Sequence, residues 1–374
     1  MTAVIGMSVA SAAHARDYPP VRCQGPKAYV GKPLHPPPAP ADLDAGGALS
    51  GSFDPVTAAR LDAAFEKALA ATKAHAMTAA VGVPGRGIWT LSRGAAAPFY
   101  YWASAGKQAT AVVTLQLVEE GRLKLSDPIA RWVQGVPNGE VITVQNLLDH
   151  TSGLFSANED LQAHRLNRPL DAGAELAILR RHGAMFCPGE RWRYSNSGYD
   201  LLGQVIEQVD RRSLAEAITA RIISPLGLTQ MRALAGSASV QEIAPPISDS
   251  AEPTINVMTP GAAGPLAASA MDMMRFEQAM LDGRLLKAET RARMLRDLYP
   301  IFDSNTYYGQ GIMLYDVPDS PQRLYWIGHS GGAPGVKAVS AYAPRQHAFV
   351  TVALTGDGPA EATANLLLKA LAGP

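Results

Sequence analysis

A serine and a lysine lie three residues apart at Ser104 and Lys107, at the start of an apolar run that predicts a helix over residues 104–120. Residues i and i+3 of a helix share a face, so the ammonium would lie beside the hydroxyl. The positive end of the helix and burial both disfavour protonated lysine, lowering its pKa from a reference of about 10.4. The neutral amine can then take the serine proton and create a nucleophile. By itself the pair is weak, because this spacing recurs by chance.

A second group, Tyr194-Ser195-Asn196, precedes another helical pattern. A tyrosine beside a nucleophile can pass a proton to a leaving group, and an asparagine amide can hold a substrate carbonyl. A turn residue and a helix N-cap explain the same residues equally well.

The third group is His329-Ser330-Gly331, followed by Gly332, at the end of a predicted strand. The N–H of Gly332, with that of Ser104, could stabilise an oxyanion. His329 and Ser330 could supply hydrogen bonds, or a partial positive charge, to an anionic or carbonyl group. The alternative is a polar strand end that runs into a glycine turn.

Other residues compete with these three groups for a role. Gly328 to Gly332 nearly matches the G-x-S-x-G nucleophile turn, but a strand-like run and not a helix follows it, and no suitable acid comes before His347. His150 is interpreted as a turn or packing residue. Four more side chains have a packing or solvent-exposed role as the default, although the two tryptophans adjoin the site: Trp102, Trp192, His164 and His182.

The elements that must position these residues change along the chain. Helical spacing begins near residue 54, strands are predicted around 79–91, and the range of about 127–281 is mostly helical patterns. Successive antiparallel strands follow from about residue 309, and a helix over 360–371 closes the chain. We expect one domain over residues 54–374, an antiparallel sheet from its N- and C-terminal parts flanked by helices, with an all-helical insertion.

Residues 1–53 are interpreted as a signal-like segment and a Pro-rich linker or tail. Ala13-His14-Ala15 matches a signal-peptidase site, which predicts a periplasmic or secreted protein. In an exported protein Cys23 and Cys187 could form a disulfide that pins the N-terminal arm; otherwise one thiol is buried and one is loose.

Composition excludes several classes of partner. Lys plus Arg and Asp plus Glu both number 33, so no net charge favours nucleic acid. No run reaches the ~20 apolar residues of a membrane span. The cysteines belong to no cluster with metal-ligand spacing, and we expect no metal or other cofactor. The oligomeric state is not predicted.

Together the three groups resemble the serine β-lactamase and penicillin-recognising hydrolase superfamily, above all its class C β-lactamase, D-alanyl-D-alanine carboxypeptidase and esterase branch. They occur in the family's order, and the likeness extends over residues 56–372. Four further stretches are similar to the family: LVEEGRLKLSDPIARWV, ITVQNLLDHTSGL, PGERWRYSNSGYDLLGQVIE and SPLGLTQM.

The resemblance implies the α+β fold of β-lactamases and transpeptidases, and hydrolysis through a covalent acyl-enzyme. It implies Ser104, Lys107 and Tyr194 as catalytic residues, and a substrate-binding set of Asn196, His329, Ser330, Gly331 and Gly332. The substrate would be a small-molecule or peptide acyl compound, either a D-Ala-D-Ala peptide or a β-lactam. A carboxylesterase, a D-aminopeptidase and a penicillin-binding sensor with negligible turnover are the alternatives.

The sequence departs from that family at its third group. His329 stands where class C β-lactamases have lysine, which argues against strong β-lactamase activity. Gly332-Ala333 stand where carboxypeptidases tend to keep a threonine for the terminal carboxylate, which argues against strict D-Ala-D-Ala specificity.

Overall fold

The structure is a computed structural model that describes residues 21–95, 97–234, 237–302, 305–318 and 324–373. The Ala13-His14-Ala15 match lies outside these residues. The helices are α1 Pro55–Thr72, α2 Lys107–Glu119, α3 Val144–Leu148, α4 Leu161–Leu166, α5 Ala172–His182, α6 Asn196–Asp210, α7 Leu214–Ile218, α8 Ser224–Leu226, α9 Ala270–Leu281, α10 Ala288–Met294 and α11 Ala360–Ala372. The strands are β1 Ala76–Val83, β2 Gly87–Arg93, β3 Tyr100–Tyr101, β4 Met231–Ala233, β5 Leu266–Ala268, β6 Tyr299–Ile301, β7 Thr306–Tyr308, β8 Met313–Val317, β9 Leu324–Ala333, β10 Val336–Ala343 and β11 Ala348–Thr355.

Eight of these strands form one antiparallel sheet in the order β2-β1-β11-β10-β9-β8-β7-β6. Strand β1 pairs with β11 from Ala76 opposite Thr355 to Gly82 opposite Phe349. The first strand of the chain therefore lies beside the last one. The expected α+β fold, with an antiparallel sheet built from both ends of the chain, is confirmed.

Helices cover both faces of this sheet. Helices α1 and α11 pack on one face, in a core cluster that includes Phe65, Leu367 and Val350. Helix α9 packs on the other face, against β1, β10 and β11. Strand β1 is buried along its whole length, which explains why it contains no charged residue.

Side-chain caps set where two of the helices begin. The Asp54 carboxylate accepts hydrogen bonds from the Val56 and Thr57 amides, each at 3.0 Å, at the start of α1. The Ser269 hydroxyl accepts the Asp272 amide at 3.2 Å at the start of α9. The start of α1 agrees with the helical spacing expected from near residue 54, because an N-cap is a local interaction.

The expectation that the insertion over about 127–281 is all-helical is wrong. It contains β4 and β5, which form a small antiparallel sheet with β3. Three-residue strands are too short to show an alternating pattern, so the sequence gives no sign of them. This small sheet matters because β3 leads directly to Ser104.

The segment interpreted as a linker or tail packs against the body. We call residues 21–53 the N-terminal arm. Its backbone donates from Lys27 to Pro188 O and from Val30 to Glu190 O, each at 2.9 Å, and from His35 to Leu298 O at 2.9 Å. The arm thus runs from the helical region to the edge of the sheet at β6. Backbone hydrogen bonds do not require a periodic pattern of apolar side chains. The sequence patterns therefore gave no indication of this packing.

A disulfide between Cys23 and Cys187 fastens the arm, with a Cα–Cα distance of 5.6 Å. Of the two sequence interpretations, the disulfide is therefore correct and the loose thiol is wrong. The Cys23 amide also donates to Asn138 Oδ1 at 3.0 Å, so the fastened end is held by more than its covalent bond.

Replacing both cysteines, Cys23→Ser with Cys187→Ser, should lower the free energy of unfolding by about 2–4 kcal/mol. The reason is that the bond closes a loop of 164 residues in the unfolded chain. Urea denaturation of the oxidised wild type and the double variant measures this difference. Dithiothreitol should destabilise the wild type and leave the variant unchanged; equal stability of all samples would contradict the prediction.

Candidate active site

Ser104 lies on a tight turn between β3 and α2. Residues Ala103–Gly106 form a 3-10 helix that continues into α2, so Ser104 and Lys107 share a face as expected. Ala103 has φ +45°, a left-handed conformation that is unusual without glycine. Trp102 holds the turn: it is fully buried, and its indole N–H donates to Ala268 O at 3.1 Å. A buried anchor thus maintains a strained turn at the candidate nucleophile.

The Lys107 ammonium is fully buried and donates three hydrogen bonds. Its acceptors are Ser104 Oγ at 3.2 Å, Asn196 Oδ1 at 2.7 Å and the Ala263 carbonyl at 2.8 Å. These three acceptors come from the nucleophile turn, helix α6 and the loop before β5. Because the amine is saturated with hydrogen bonds and shielded from water, its position is fixed relative to Ser104.

Tyr194 and Asn196 approach Ser104 and Lys107 from the start of α6. A hydrogen bond links the Tyr194 hydroxyl to the Ser104 side chain, and Lys107 Nζ lies 4.8 Å from the centre of the Tyr194 ring. The Asn196 amide group donates to Asn158 Oδ1 at 3.0 Å while its oxygen accepts from Lys107. Asn196 thus orients Lys107, and the second hydrogen of its amide group is the one that could reach a substrate carbonyl.

Protonation states distinguish the two candidate bases. Burial lowers the pKa of Lys107 to about 7, so a large fraction of this amine is neutral near neutral pH. Burial raises the pKa of Tyr194 above its usual value of 10.0, more than the hydrogen bond from Ser104 lowers it. Lys107 can therefore accept a proton at neutral pH, whereas Tyr194 stays protonated and can only relay one.

His329 lies on β9 and faces this site, but it is neutral. Burial, then the nearby Lys107 charge, lower its pKa to about 3. Its ring nitrogens are engaged by Tyr308 Oη at 3.1 Å and by the Ser330 carbonyl at 2.5 Å. The expectation that His329 supplies positive charge to an anion is thus wrong, because burial makes the charged ring too costly.

The Ser330 side chain lies on the opposite face of the sheet from His329. Its hydroxyl contacts Met313 Sδ at 4.0 Å and hydrogen-bonds with Tyr315 and Glu361, which lie on β8 and α11. Successive side chains of a strand point to opposite faces, so His329 and Ser330 cannot both face Ser104. The suggestion that the Ser330 side chain binds substrate is corrected on this ground. The same mid-strand position excludes the G-x-S-x-G interpretation, which needs a strand-to-helix turn.

Gly331 is where β9 touches the nucleophile turn. A Cβ on Gly331 would lie 2.6 Å from the Trp102 carbonyl oxygen and 2.7 Å from the Ser104 amide nitrogen. At Gly332 the nearest obstacle is Lys337 Cδ at 3.1 Å, the flexible side chain of its β10 partner. Strand β8 ends its pairing with β9 at Gly328, so residues 329–333 keep one edge beside Ser104.

His150 belongs to the site, although the sequence suggested only a turn or packing residue. It is buried, adopts φ +60°, and its ring centre lies 4.3 Å from that of Tyr194. Its Nδ1 accepts the Ser195 amide at 3.2 Å. Burial lowers its pKa well below the usual value, so the ring is neutral. The turn interpretation is thus correct, but the turn supports Tyr194, a contact that no sequence spacing reveals.

Three other residues considered from the sequence differ in their surroundings. Trp102 lies in the core, while Trp192 is half-buried and its ring centre lies 6.4 Å from that of Tyr194. His182 is not a solvated position: it bonds Asp160 at 2.9 Å and stacks on Phe155 at 3.8 Å.

Asp200 lies close enough to Lys107 to interact with its charge, and no sequence motif pointed to it. Burial raises its pKa well above the usual range, and the neighbouring Glu175 carboxyl group adds to this effect. Its carboxyl group accepts the amides of Ala262 and Ala263. Because the Ala263 carbonyl accepts from Lys107, Asp200 fixes the loop that helps to hold the amine.

Within the described ranges, no group of three or more His, Cys, Asp and Glu side chains could hold a metal ion. In the same ranges, no helix has both the length and the apolar character to cross a membrane.

The fold and this arrangement define the class of serine hydrolases of the β-lactamase type. The chain belongs to the beta-lactamase family, whose model matches residues 61–373. The N-terminal arm precedes the matched residues.

The proteins to which this chain is similar include penicillin-binding proteins and an amidohydrolase. A putative penicillin-binding protein of Bacillus subtilis is 29% identical over 252 residues, 65% of this chain and 58% of that protein. Penicillin-binding protein 4 of Amycolatopsis lactamdurans is 28% identical over 298 residues, 72% of this chain and 75% of that protein. The crystal structure of a D-stereospecific amidohydrolase from Streptomyces sp. has a TM-score of 0.71 and 29% identity, covering 82% of this chain and 97% of that one. The chain spans somewhat over half the length of this Bacillus subtilis protein, 58%, and of a further relative from the same organism, penicillin-binding protein 4*, 55%.

If neutral Lys107 is the base, kcat/KM for an uncharged ester should fall about tenfold per pH unit below about pH 7. The sign follows because the neutral amine, which accepts the proton, is the form that disappears as pH falls. A pH–rate profile measured with circular dichroism at each pH separates this effect from unfolding. A flat profile between about pH 5 and pH 8 would refute the role of Lys107 as base.

Gly331→Ala should reduce kcat at least ~100-fold, because the added methyl group pushes β9 away from the Ser104 amide that would stabilise the oxyanion. Gly332→Ala is the matched control and should stay within about tenfold of wild type, since only the flexible Lys337 side chain must move. Steady-state kinetics on one ester compares them. Equal losses in both variants would contradict this account of the close contact.

Proposed function

We propose that the protein hydrolyses amide or ester bonds through a covalent acyl-enzyme on Ser104. The observation that carries this proposal is the buried Lys107 amine, 3.2 Å from Ser104 Oγ, whose pKa burial lowers to about 7. A surface lysine would stay protonated and could not act as a base at neutral pH.

In the acylation step, Lys107 takes the proton of Ser104 Oγ as the oxygen attacks the substrate carbonyl carbon. The backbone N–H groups of Ser104 and Gly332 stabilise the resulting oxyanion. The C–N or C–O bond then breaks, and Tyr194 gives its proton to the leaving group while taking one from the Lys107 ammonium. Water attacks the ester, its proton passes to Lys107, and Ser104 Oγ is reprotonated as the acid leaves.

The substrate class we propose is that of D-Ala-D-Ala carboxypeptidases and β-lactamases: an acyl group on a D-amino acid or a β-lactam amide. Support comes from the similarity to penicillin-binding proteins and to an amidohydrolase named for D-stereospecificity. Short acyl esters and D-amino-acid amides are the second candidate. The neutral His329 favours this candidate, because the third group then offers no cation to a substrate carboxylate.

We also propose that the protein works outside the cytoplasm, in the periplasm or as a secreted protein. The Cys23–Cys187 disulfide supports this location, since such bonds persist in oxidising compartments.

Ser104→Ala should abolish the formation of a covalent adduct with benzylpenicillin and lower ester turnover at least ~1,000-fold. Intact-protein mass spectrometry over time and an assay with p-nitrophenyl butyrate measure the two effects. Ser330→Ala is the matched control: its hydroxyl faces α11, so both readouts should stay near wild type.

Unchanged turnover in Ser104→Ala would overturn the assignment of the nucleophile. An adduct that persists without ester turnover would instead indicate the penicillin-binding sensor. Turnover of esters with no adduct would place the protein with the esterase and D-amino-acid amide candidates.

A further inference from the structure

One segment of the helical region connects the second group of site residues to the third. We call residues 158–168, which include α4, the strap. At its first end, Asn158 Oδ1 accepts the side-chain amide of Asn196 at 3.0 Å. The nearby Ser156 hydroxyl accepts the backbone amide of Asn196 at 2.9 Å. The strap therefore begins in direct contact with the residue that orients Lys107.

At its other end, one side chain joins the strap to the loop over residues 254–256. Asn167 Nδ2 donates to the Thr254 carbonyl at 2.7 Å, and Asn167 Oδ1 accepts the Asn256 amide at 3.0 Å. We call these two hydrogen bonds the latch. Asn167 ends α4 with φ +43°, a left-handed conformation that asparagine adopts more readily than most residues. Residue type and backbone conformation thus both suit this position.

The loop that receives the latch is held by the sheet. The Ile255 amide donates to the Pro334 carbonyl at 3.0 Å, and the Ile247 amide donates to the Gly335 carbonyl at 3.2 Å. Pro334 follows Gly332, one of the two proposed oxyanion donors, by two residues. The strap and this loop thus connect the second group to the end of the third.

These contacts close a ring that includes the candidate nucleophile. Lys107 links Asn196 to Ser104, and Gly331 lies against the Ser104 amide from the other side. A substrate carbonyl between the amides of Ser104 and Gly332 would lie on the part of this ring that is opposite the strap. A chain that extends from the carbonyl across the ring therefore meets the strap.

The two halves of the strap differ in how firmly they are held. Asp160 accepts two amides of the first turn of α4, each at 3.1 Å, and pairs with Arg181 and His182 of α5. At the other end, Leu166 is 49% exposed, and both hydrogen bonds of Asn167 are exposed. Since water competes for exposed hydrogen bonds, the second half can open while the first half stays in place.

We infer that the strap and its latch limit the length of the acyl group that reaches Ser104, which makes Asn167 a specificity-determining residue. This inference rests on the proposed function of Ser104. The acyl side is assigned because Tyr194 would serve the leaving group, whereas the strap starts at Asn196, whose amide could hold a substrate carbonyl. Short acyl groups fit with the latch closed, and longer ones require the minor, open state.

Two p-nitrophenyl esters with the same leaving group, the butyrate and the octanoate, test the inference. Asn167→Gly removes both latch hydrogen bonds and keeps the left-handed conformation, which glycine adopts readily. Lys73→Gly is the matched control, because Lys73 also ends a helix, α1, with φ +53°. The readout is the ratio of kcat/KM for the octanoate to that for the butyrate, after subtraction of the rate with Ser104→Ala.

We expect the ratio to rise about tenfold in Asn167→Gly, mainly through a lower KM for the octanoate. The ratio in Lys73→Gly should equal that of wild type. An unchanged ratio in Asn167→Gly would overturn the inference, and so would an equal change on both esters. Failure of the wild type to hydrolyse either ester would instead count against the proposed function.

Limited digestion with trypsin measures the opening of the strap without any assay of activity, because Arg165 lies in α4 beside the latch. Cleavage after Arg165 requires local opening and should be about tenfold faster in Asn167→Gly than in wild type or Lys73→Gly. Intact-protein mass spectrometry over time follows the cut. Equal cleavage rates in all three proteins would overturn the latch. Faster cleavage with an unchanged ester ratio would overturn its role in specificity.

Discussion

The burial of one ammonium group is the constraint on which the rest of the site depends. Lys107 is placed in the protein interior, where its charged form loses hydration. Three acceptors compensate for that loss, one on the adjacent turn and two from distant segments. The compensation is incomplete, so the pKa remains near neutrality and the amine can act as a base. The start of α6 and the loop around Ala263 must therefore keep their positions for the serine to be activated.

The sheet and the helical region meet at this buried amine, and each presents a different kind of group to it. From the sheet, β9 brings a glycine against the Ser104 amide, where any side chain would separate the two backbones. From the helical region, the tyrosine and asparagine at the start of α6 reach the serine and lysine by their side chains. His150, on a turn with left-handed backbone conformation, holds that start by accepting a hydrogen bond from the Ser195 amide.

The N-terminal arm joins the same two regions by a different route. It is fastened to the helical region by a disulfide and by backbone hydrogen bonds, and it reaches the end of the sheet at Leu298. On its way it lines a cavity together with Trp192, whose ring centre lies 6.4 Å from that of Tyr194.

The sequence by itself determined the features that depend on local geometry. The spacing of Ser104 and Lys107 places them on one helical face, helical spacing begins near the start of α1, and the local sequence predicts successive strands from about residue 309. Only the tertiary structure decided which side chains of β9 face the site, that His329 is neutral, that His150 supports Tyr194, and that the arm packs against the body. The physical reason is that burial and electrostatic environment are set by residues far apart in the chain. Helix spacing and capping, in contrast, act within one or two turns.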